Sequence, residues 1–424
     1  MESEKKSNKS TFVVSLTNFL DSSAITAGAS GLTLWKEHFN LNSWQIGALG
    51  AFSANAFGAA IGALIGGWLA DKFGRKFIYQ YNMLLYMFGV LIIIFSMNFP
   101  MLMAGFLVTG ISVGVGVPSS WTYISEASEG VKRAGNIGIS QFAWSFGSPV
   151  VYLVGAALSP LGLLGNRLLF GFLLVTAFFT WLLQRKLKES SYWEADQKSQ
   201  SHVQKHKYSE LFSNIVSVKS LLFLIGIYMF WNLVAGAMGF FMPYVYQSVG
   251  GLDQSQALLV QVATGIITAL STYFLFAKLA DRVNQRILFT AGAVFGLIAW
   301  FLITSRGMGW TVLSIFVLCW GISSGLSAQH FYSLWSTELF PTKFRAGASG
   351  FMFFIVRGSA GVWSLFYAVI LTRLGFGYSS ILMISFLVIS MVVGIIWTPK
   401  TRGKSLAQIT EERYGKDYST SKIS

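Results

Sequence analysis

The chain has 424 residues, of which 54% are hydrophobic and only 11% charged; its mean hydropathy is +0.57 and its net charge +14. A soluble protein carries about 25% charged residues, so most of this chain belongs in lipid. Its 31 Lys and Arg fall in short clusters between apolar runs, a pattern of membrane loops and not of a nucleic-acid surface, and the single Cys319 excludes an intramolecular disulfide.

Crossing the roughly 30 Å hydrocarbon core takes about 20 apolar residues. Twelve such spans are expected, near 11–35, 44–70, 77–97, 100–124, 136–158, 167–185, 220–248, 256–280, 287–305, 309–333, 346–372 and 378–398. All should be helical, because lipid offers the backbone no hydrogen-bond partners. The first follows Lys5, Lys6 and Lys9 as a signal peptide would, yet it contains Asp21 and runs on to Trp35, so it reads as a span. With both termini cytoplasmic, inner segments hold 26 of the 31 basic residues and outer loops hold four, Lys36, Arg167, Arg306 and Arg373. That imbalance sets the expected orientation in a cell membrane. The organisation read from these features is an N-tail (1–10), a six-helix bundle (11–185), a polar linker (186–219), a second six-helix bundle (220–398) and a C-tail (399–424).

The two halves repeat one another. Ser125-Glu126-Ala127-Ser128-Glu129-Gly130-Val131-Lys132-Arg133-Ala134-Gly135 is echoed by Thr337-Glu338-Leu339-Phe340-Pro341-Thr342-Lys343-Phe344-Arg345-Ala346-Gly347, with Glu126 and Glu338 212 residues apart. Leu69-Ala70-Asp71-Lys72 is echoed by Leu279-Ala280-Asp281-Arg282 at a spacing of 210. A duplicated membrane chain is the signature of a two-halved transporter.

Two charges lie inside spans and are functional hypotheses by default. Asp21, midway along span 1, is the candidate proton carrier; the alternative is a structural aspartate held by hydroxyls such as Ser22 and Ser23. Arg357 in span 11 is twelve residues beyond Arg345, too deep for a loop charge. A guanidinium cannot shed its proton, so it needs a counter-charge or a wet cavity. A substrate carboxylate would serve through bidentate hydrogen bonds, and a permanent bridge to Asp21 is the alternative.

Gly67-Trp68-Leu69-Ala70-Asp71-Lys72-Phe73-Gly74-Arg75-Lys76 resembles the loop 2–3 signature of the major facilitator superfamily. Glu189-Ser190-Ser191-Tyr192-Trp193 and Pro399-Lys400-Thr401-Arg402-Gly403-Lys404-Ser405-Leu406 are similar to the sugar-porter motifs after helices 6 and 12. The resemblance implies an all-α membrane fold of twelve helices in two pseudo-symmetric bundles, with a central site worked by alternating access. It also implies a cytoplasmic latch of acid–base pairs, here Asp71, Arg75, Glu126, Arg133, Asp281, Arg282, Glu338 and Arg345. Gln141 matches the position of a sugar-binding glutamine, and Asp21 sits where proton-coupled sugar porters carry an aspartate. Those porters place an arginine in helix 4 where this chain has Phe106, and span 7 lacks their glutamine pair, with Asn232 as its nearest polar counterpart. Gln329 and His330 in span 10 complete the expected substrate contacts, with Arg357.

Enzyme readings find no support. No phosphate-cradling glycine loop precedes Lys-Ser/Thr, and no metal-ligand or nucleophile constellation stands out. No cofactor is expected. The sequence therefore reads as a monomeric secondary transporter, taking up a small polar metabolite with protons. An organic carboxylate or sugar acid is the first choice of substrate, a neutral sugar or polyol the second, and efflux of an amphiphilic compound the third.

Overall fold

The computed structural model describes residues 2–127, 133–187, 189, 193–194 and 209–415, and among them there is no strand. Span 1 is α1 (Glu2–His38). Span 2 is interrupted: α2 (Ser43–Ala51) and α3 (Phe57–Phe73) are separated by a turn. Spans 3 to 6 are α4 (Arg75–Ile94), α5 (Phe99–Ala127), α6 (Arg133–Leu158) and α7 (Gly162–Gln184). A short α8 (Ser209–Ser213) precedes α9 (Ile215–Ser248), which is span 7.

Span 8 is α10 (Gln254–Ser271), continued by a π-turn over Thr272–Ala277, and span 9 is α11 (Gln285–Arg306). Span 10 again has two pieces, α12 (Trp310–Gly325) and α13 (Ala328–Glu338). Spans 11 and 12 form α14 (Thr342–Trp397), broken at Gly375, whose φ of 82° is open to glycine and closed to most other residues. The C-tail carries α15 (Leu406–Tyr414). These twelve spans agree with the sequence reading, and an even number puts both tails on one face, called the tail face below.

Local chemistry sets these boundaries. Span 2 opens on a capping box in which Asn42 and Gln45 satisfy each other's backbone N–H groups, and span 8 opens on the same device from Asp253 and Gln256. The two boxes lie 211 residues apart and form a third echo of the duplication. On the tail face, Gly74 has φ 91°, and the following Arg75 and Lys76 start α4. Their N–H groups donate to the Glu189 carboxylate (2.9 and 3.0 Å), so a residue 114 positions downstream caps span 3.

The halves meet along spans 2 and 11, 5 and 8, and 1 and 7. Small residues permit the approach, since there is no hydrophobic drive between helices in lipid. Toward the far face, a Cβ on Gly47 would sit 2.8 Å from the Leu365 carbonyl. Toward the tail face, one on Gly350 would sit 2.9 Å from the Ala63 carbonyl. The halves are therefore in contact above and below the centre. The outer surface is apolar, with Trp44 and Trp310 exposed at the far face and Trp68 and Trp397 at the tail face, as in an interfacial aromatic belt. Polar side chains are gathered inside.

Candidate solute-binding site

Asp21 is 1% exposed, and its Oδ2 accepts from Trp144 Nε1 of span 5 (2.7 Å). Its Oδ1 has no hydrogen-bond partner. The hydroxyls of Ser22 and Ser23 do not hold it; both donate back to the Phe19 carbonyl (3.2 and 2.7 Å). Phe106 stands edge-on to Phe170 and Phe240.

Arg357 is 2% exposed and has no carboxylate partner. Its Nη1 donates to Asn55 Oδ1 (2.7 Å) and to the Asn55 carbonyl (3.1 Å), while the guanidinium lies over the Phe353 ring. The Asp21–Arg357 bridge weighed above is absent, although the field of Arg357 reaches Asp21. Asn55 belongs to the turn that interrupts span 2. There Ser53 Oγ donates to the Gly50 carbonyl (2.7 Å) and accepts from the Asn55 N–H (3.1 Å), and this competes with helix continuation. A Ser-x-Asn inside an apolar run was the available signal, and the sequence reading passed over it.

Between the halves, Gln329 Nε2 of span 10 donates to Gln141 Oε1 of span 5 (3.2 Å), and Tyr228 of span 7 points its hydroxyl at Gln329 Oε1 (3.5 Å). The Tyr228 ring stacks on Tyr332 at 4.4 Å, with Trp121 edge-on behind it. On spans 5 and 7, three buried donors have no partner: Gln141 Nε2 on the first, Asn232 Nδ2 and Trp231 Nε1 on the second. The structure thus brings Gln141 and Gln329 together directly. Tyr228, which the sequence reading missed, joins them to Trp231, beside Asn232, through ring stacking.

His330 is differently placed. Thr272 Oγ1 donates to the Thr268 carbonyl (2.8 Å), so it accepts from both Ser145 Oγ (3.2 Å) and His330 Nε2 (3.2 Å). The imidazole proton is thereby assigned to Nε2, leaving Nδ1 to accept from Ser327 Oγ (2.6 Å). Both ring nitrogens are engaged by protein, in a chain that joins span 5 to the irregular segments of spans 8 and 10.

Of the latch candidates, the side chains of Asp71, Glu126 and Arg133 lie outside the described residues, as do residues 128–132 of the first repeat. Arg75 donates to the Ala70 carbonyl (3.1 Å) and Arg345 to the Phe340 carbonyl (3.4 Å), each turning back five residues to close a helix end. Glu338 is buried. Asp281 and Arg282 follow span 8, and the Arg282 carbonyl accepts from Arg402 of the C-tail (3.0 Å).

A family model described as the Major Facilitator Superfamily matches residues 11–364. The chain belongs to the major facilitator superfamily. It is a multi-pass membrane transporter and not an enzyme. This major facilitator is 43% identical over 415 residues to the minor myo-inositol transporter IolF of Bacillus subtilis (strain 168), covering 96% of this chain and 94% of that one. It is 26% identical over 400 residues to the glucose transporter GlcP of Staphylococcus epidermidis, covering 85% and 87% of the two chains. In structure it resembles the proton:xylose symporter XylE of E. coli bound to 6-bromo-6-deoxy-D-glucose, with a TM-score of 0.80. That likeness spans 97% of this chain and 99% of the other at 18% sequence identity, and it establishes the twelve-helix fold.

Proposed function

We propose that the protein is a proton-coupled importer of a neutral polyol or sugar of the inositol kind, held between the halves and moved by alternating access. The observation that supports this reading is the buried Gln141–Gln329 bond between the halves, beside which Gln141 Nε2 is left as a donor without a partner. A buried donor without an acceptor costs about 1–3 kcal/mol, and a hydroxyl oxygen of a polyol can accept from it. The names of the relatives, an inositol and a glucose transporter, support the same class.

Arg357, the anchor expected for an anionic substrate, donates through Nη1 to Asn55, and the most similar relatives named above are inositol and glucose transporters. The carboxylate reading therefore gives way to the polyol. Asp21 is proposed as the proton carrier, its Oδ1 lying free of protein partners. Arg75, Asp281, Arg282, Glu338 and Arg345, with Asp71, Glu126 and Arg133, are proposed to form the tail-face latch. The tail face is proposed to be cytoplasmic and the membrane that of the cell, with halves 11–185 and 220–398 rocking about the solute in a monomer.

The test is uptake into proteoliposomes under an imposed pH gradient, comparing myo-inositol, glucose and xylose with sugar acids. Accumulation of a polyol that requires the gradient is expected. Accumulation of acids alone, or uptake indifferent to the gradient, would overturn the reading. Asp21→Asn should abolish accumulation and leave counterflow exchange measurable.

A further inference from the structure

The interruption of span 2 has a chemical consequence. It takes the Asn55 carbonyl out of the helical ladder and leaves it, with Asn55 Oδ1, facing the opposite half. Arg357 arrives from span 11 and contacts both oxygens through one nitrogen. Asn55 is 3% exposed and its Nδ2 has no partner, while Arg357 Nε has none either. A buried guanidinium held by an amide instead of a carboxylate is only partly satisfied, and such a contact is poised to break.

Charge around Arg357 is sparse. From span 1 it feels Asp21; among the described residues, Tyr228 of span 7 and Tyr332 of span 10 also sense its charge. Tyr86 of span 3 lies on the Asp21 side. Among the described residues, Asp21 is the acid that senses Arg357, and it belongs to the half that Arg357 reaches across to.

We propose that Asn55 is a positioning residue of the transport cycle, seating Arg357 across the interface so that the charge on Asp21 biases opening of the far face. This rests on the proton-coupled reading above. While Asp21 is ionised, its charge and the Asn55 oxygens together hold span 11 against span 2. When Asp21 takes up a proton, the hold reduces to the hydrogen bonds with Asn55, and the halves part more readily on the side where Ser43 and Thr372 now touch (3.4 Å).

The experiment uses full-length protein in nanodiscs with spin labels at Ser43→Cys and Thr372→Cys, on a Cys319→Ala background, measured without solute from pH 5 to 8. Asn55→Ala should raise the far-face-open population by about fivefold or more and flatten its pH dependence. Asn55→Asp, which supplies a carboxylate to Arg357, should hold the far face closed and slow counterflow exchange by about tenfold or more. Asp21→Asn should open the far face at every pH. Should Asn55→Ala and Asn55→Asp both leave the distance distribution and its pH response unchanged, the proposal is refuted. Because the labels report without solute, failure to move polyol in vesicles would remove the functional reading while leaving these distances to judge the clamp alone.

Discussion

Removing the Glu189 carboxylate should uncap span 3, and the cost can be worked from its contacts. Glu189 accepts from the first two N–H groups of α4, at 2.9 and 3.0 Å. Losing an N-cap costs about 0.5–2 kcal/mol, and losing a negative charge at a helix N-terminus about 0.3–1 kcal/mol more. Glu189→Ala should therefore cost about 1–3 kcal/mol. Gly74→Ala has two costs. Its φ of 91° with ψ of 164° is nearly glycine-only territory, about 1–3 kcal/mol for another residue. The new Cβ would also overlap Glu189 Oε2 and push the carboxylate off its donors, forfeiting the cap for a total of about 2–6 kcal/mol.

The double variant should then be no worse than Gly74→Ala alone, since the carboxylate displaced by the Cβ is already gone. Unfolding entropy of about 2.1 cal/mol/K per residue makes about 1 kcal/mol worth roughly 1 °C in a chain of this length. Thermal unfolding in detergent should show losses of about 1–3 °C for Glu189→Ala and about 2–6 °C for both Gly74→Ala and the double variant. A double-variant loss equal to the sum of the singles would refute the capping account.

Gly350→Val should wedge spans 2 and 11 apart near the tail face, because its Cβ meets the immovable Ala63 carbonyl, and Gly47→Val should do the same near the far face against Leu365. Each should shift the conformational balance about fivefold or more, in opposite directions, as read by thiol labelling on either side of the site. Gln329→Ala should raise the KM for polyol more than it lowers kcat, through loss of the bridge to Gln141; an unchanged KM would remove Gln329 from the site. Tyr414→Phe should release α15 by removing the donor to the Leu339 carbonyl (2.9 Å), seen as faster proteolysis of the C-tail. Burial pushes the Tyr414 phenol up, so its docking should hold through neutral pH and weaken only as pH rises beyond about 10, the ordinary tyrosine range.

Hydropathy and the internal echoes made the fold legible, because lipid imposes a length and a composition on every span whatever its neighbours. The interior was legible where a polar residue is anomalous by itself, as with Asp21 and Arg357. It was not legible where a partner lies far along the chain. Nothing local announces that Arg357 meets Asn55, 302 residues away, or that Glu189 caps a helix 114 residues before it. Nor does anything local announce that Ser327 and Thr272 engage both nitrogens of His330. The carboxylate reading lacks support for a related reason: sequence identified an uncompensated cation but not the amide that meets it.

The exposed tryptophans fix a height for the molecule. Trp44 and Trp68 are separated by 24 residues, which would be about 36 Å as unbroken helix at 1.5 Å per residue, against a hydrocarbon slab of about 30 Å plus its headgroup margins. Both belong to span 2, the same span that Asn55 interrupts. A thinner bilayer would have to tilt that span or shorten it at the turn that interrupts it, at a fraction of a kcal/mol for each Å. Membrane thickness thus acts on the very turn that Arg357 grips, and the lipid around this carrier becomes part of its conformational balance.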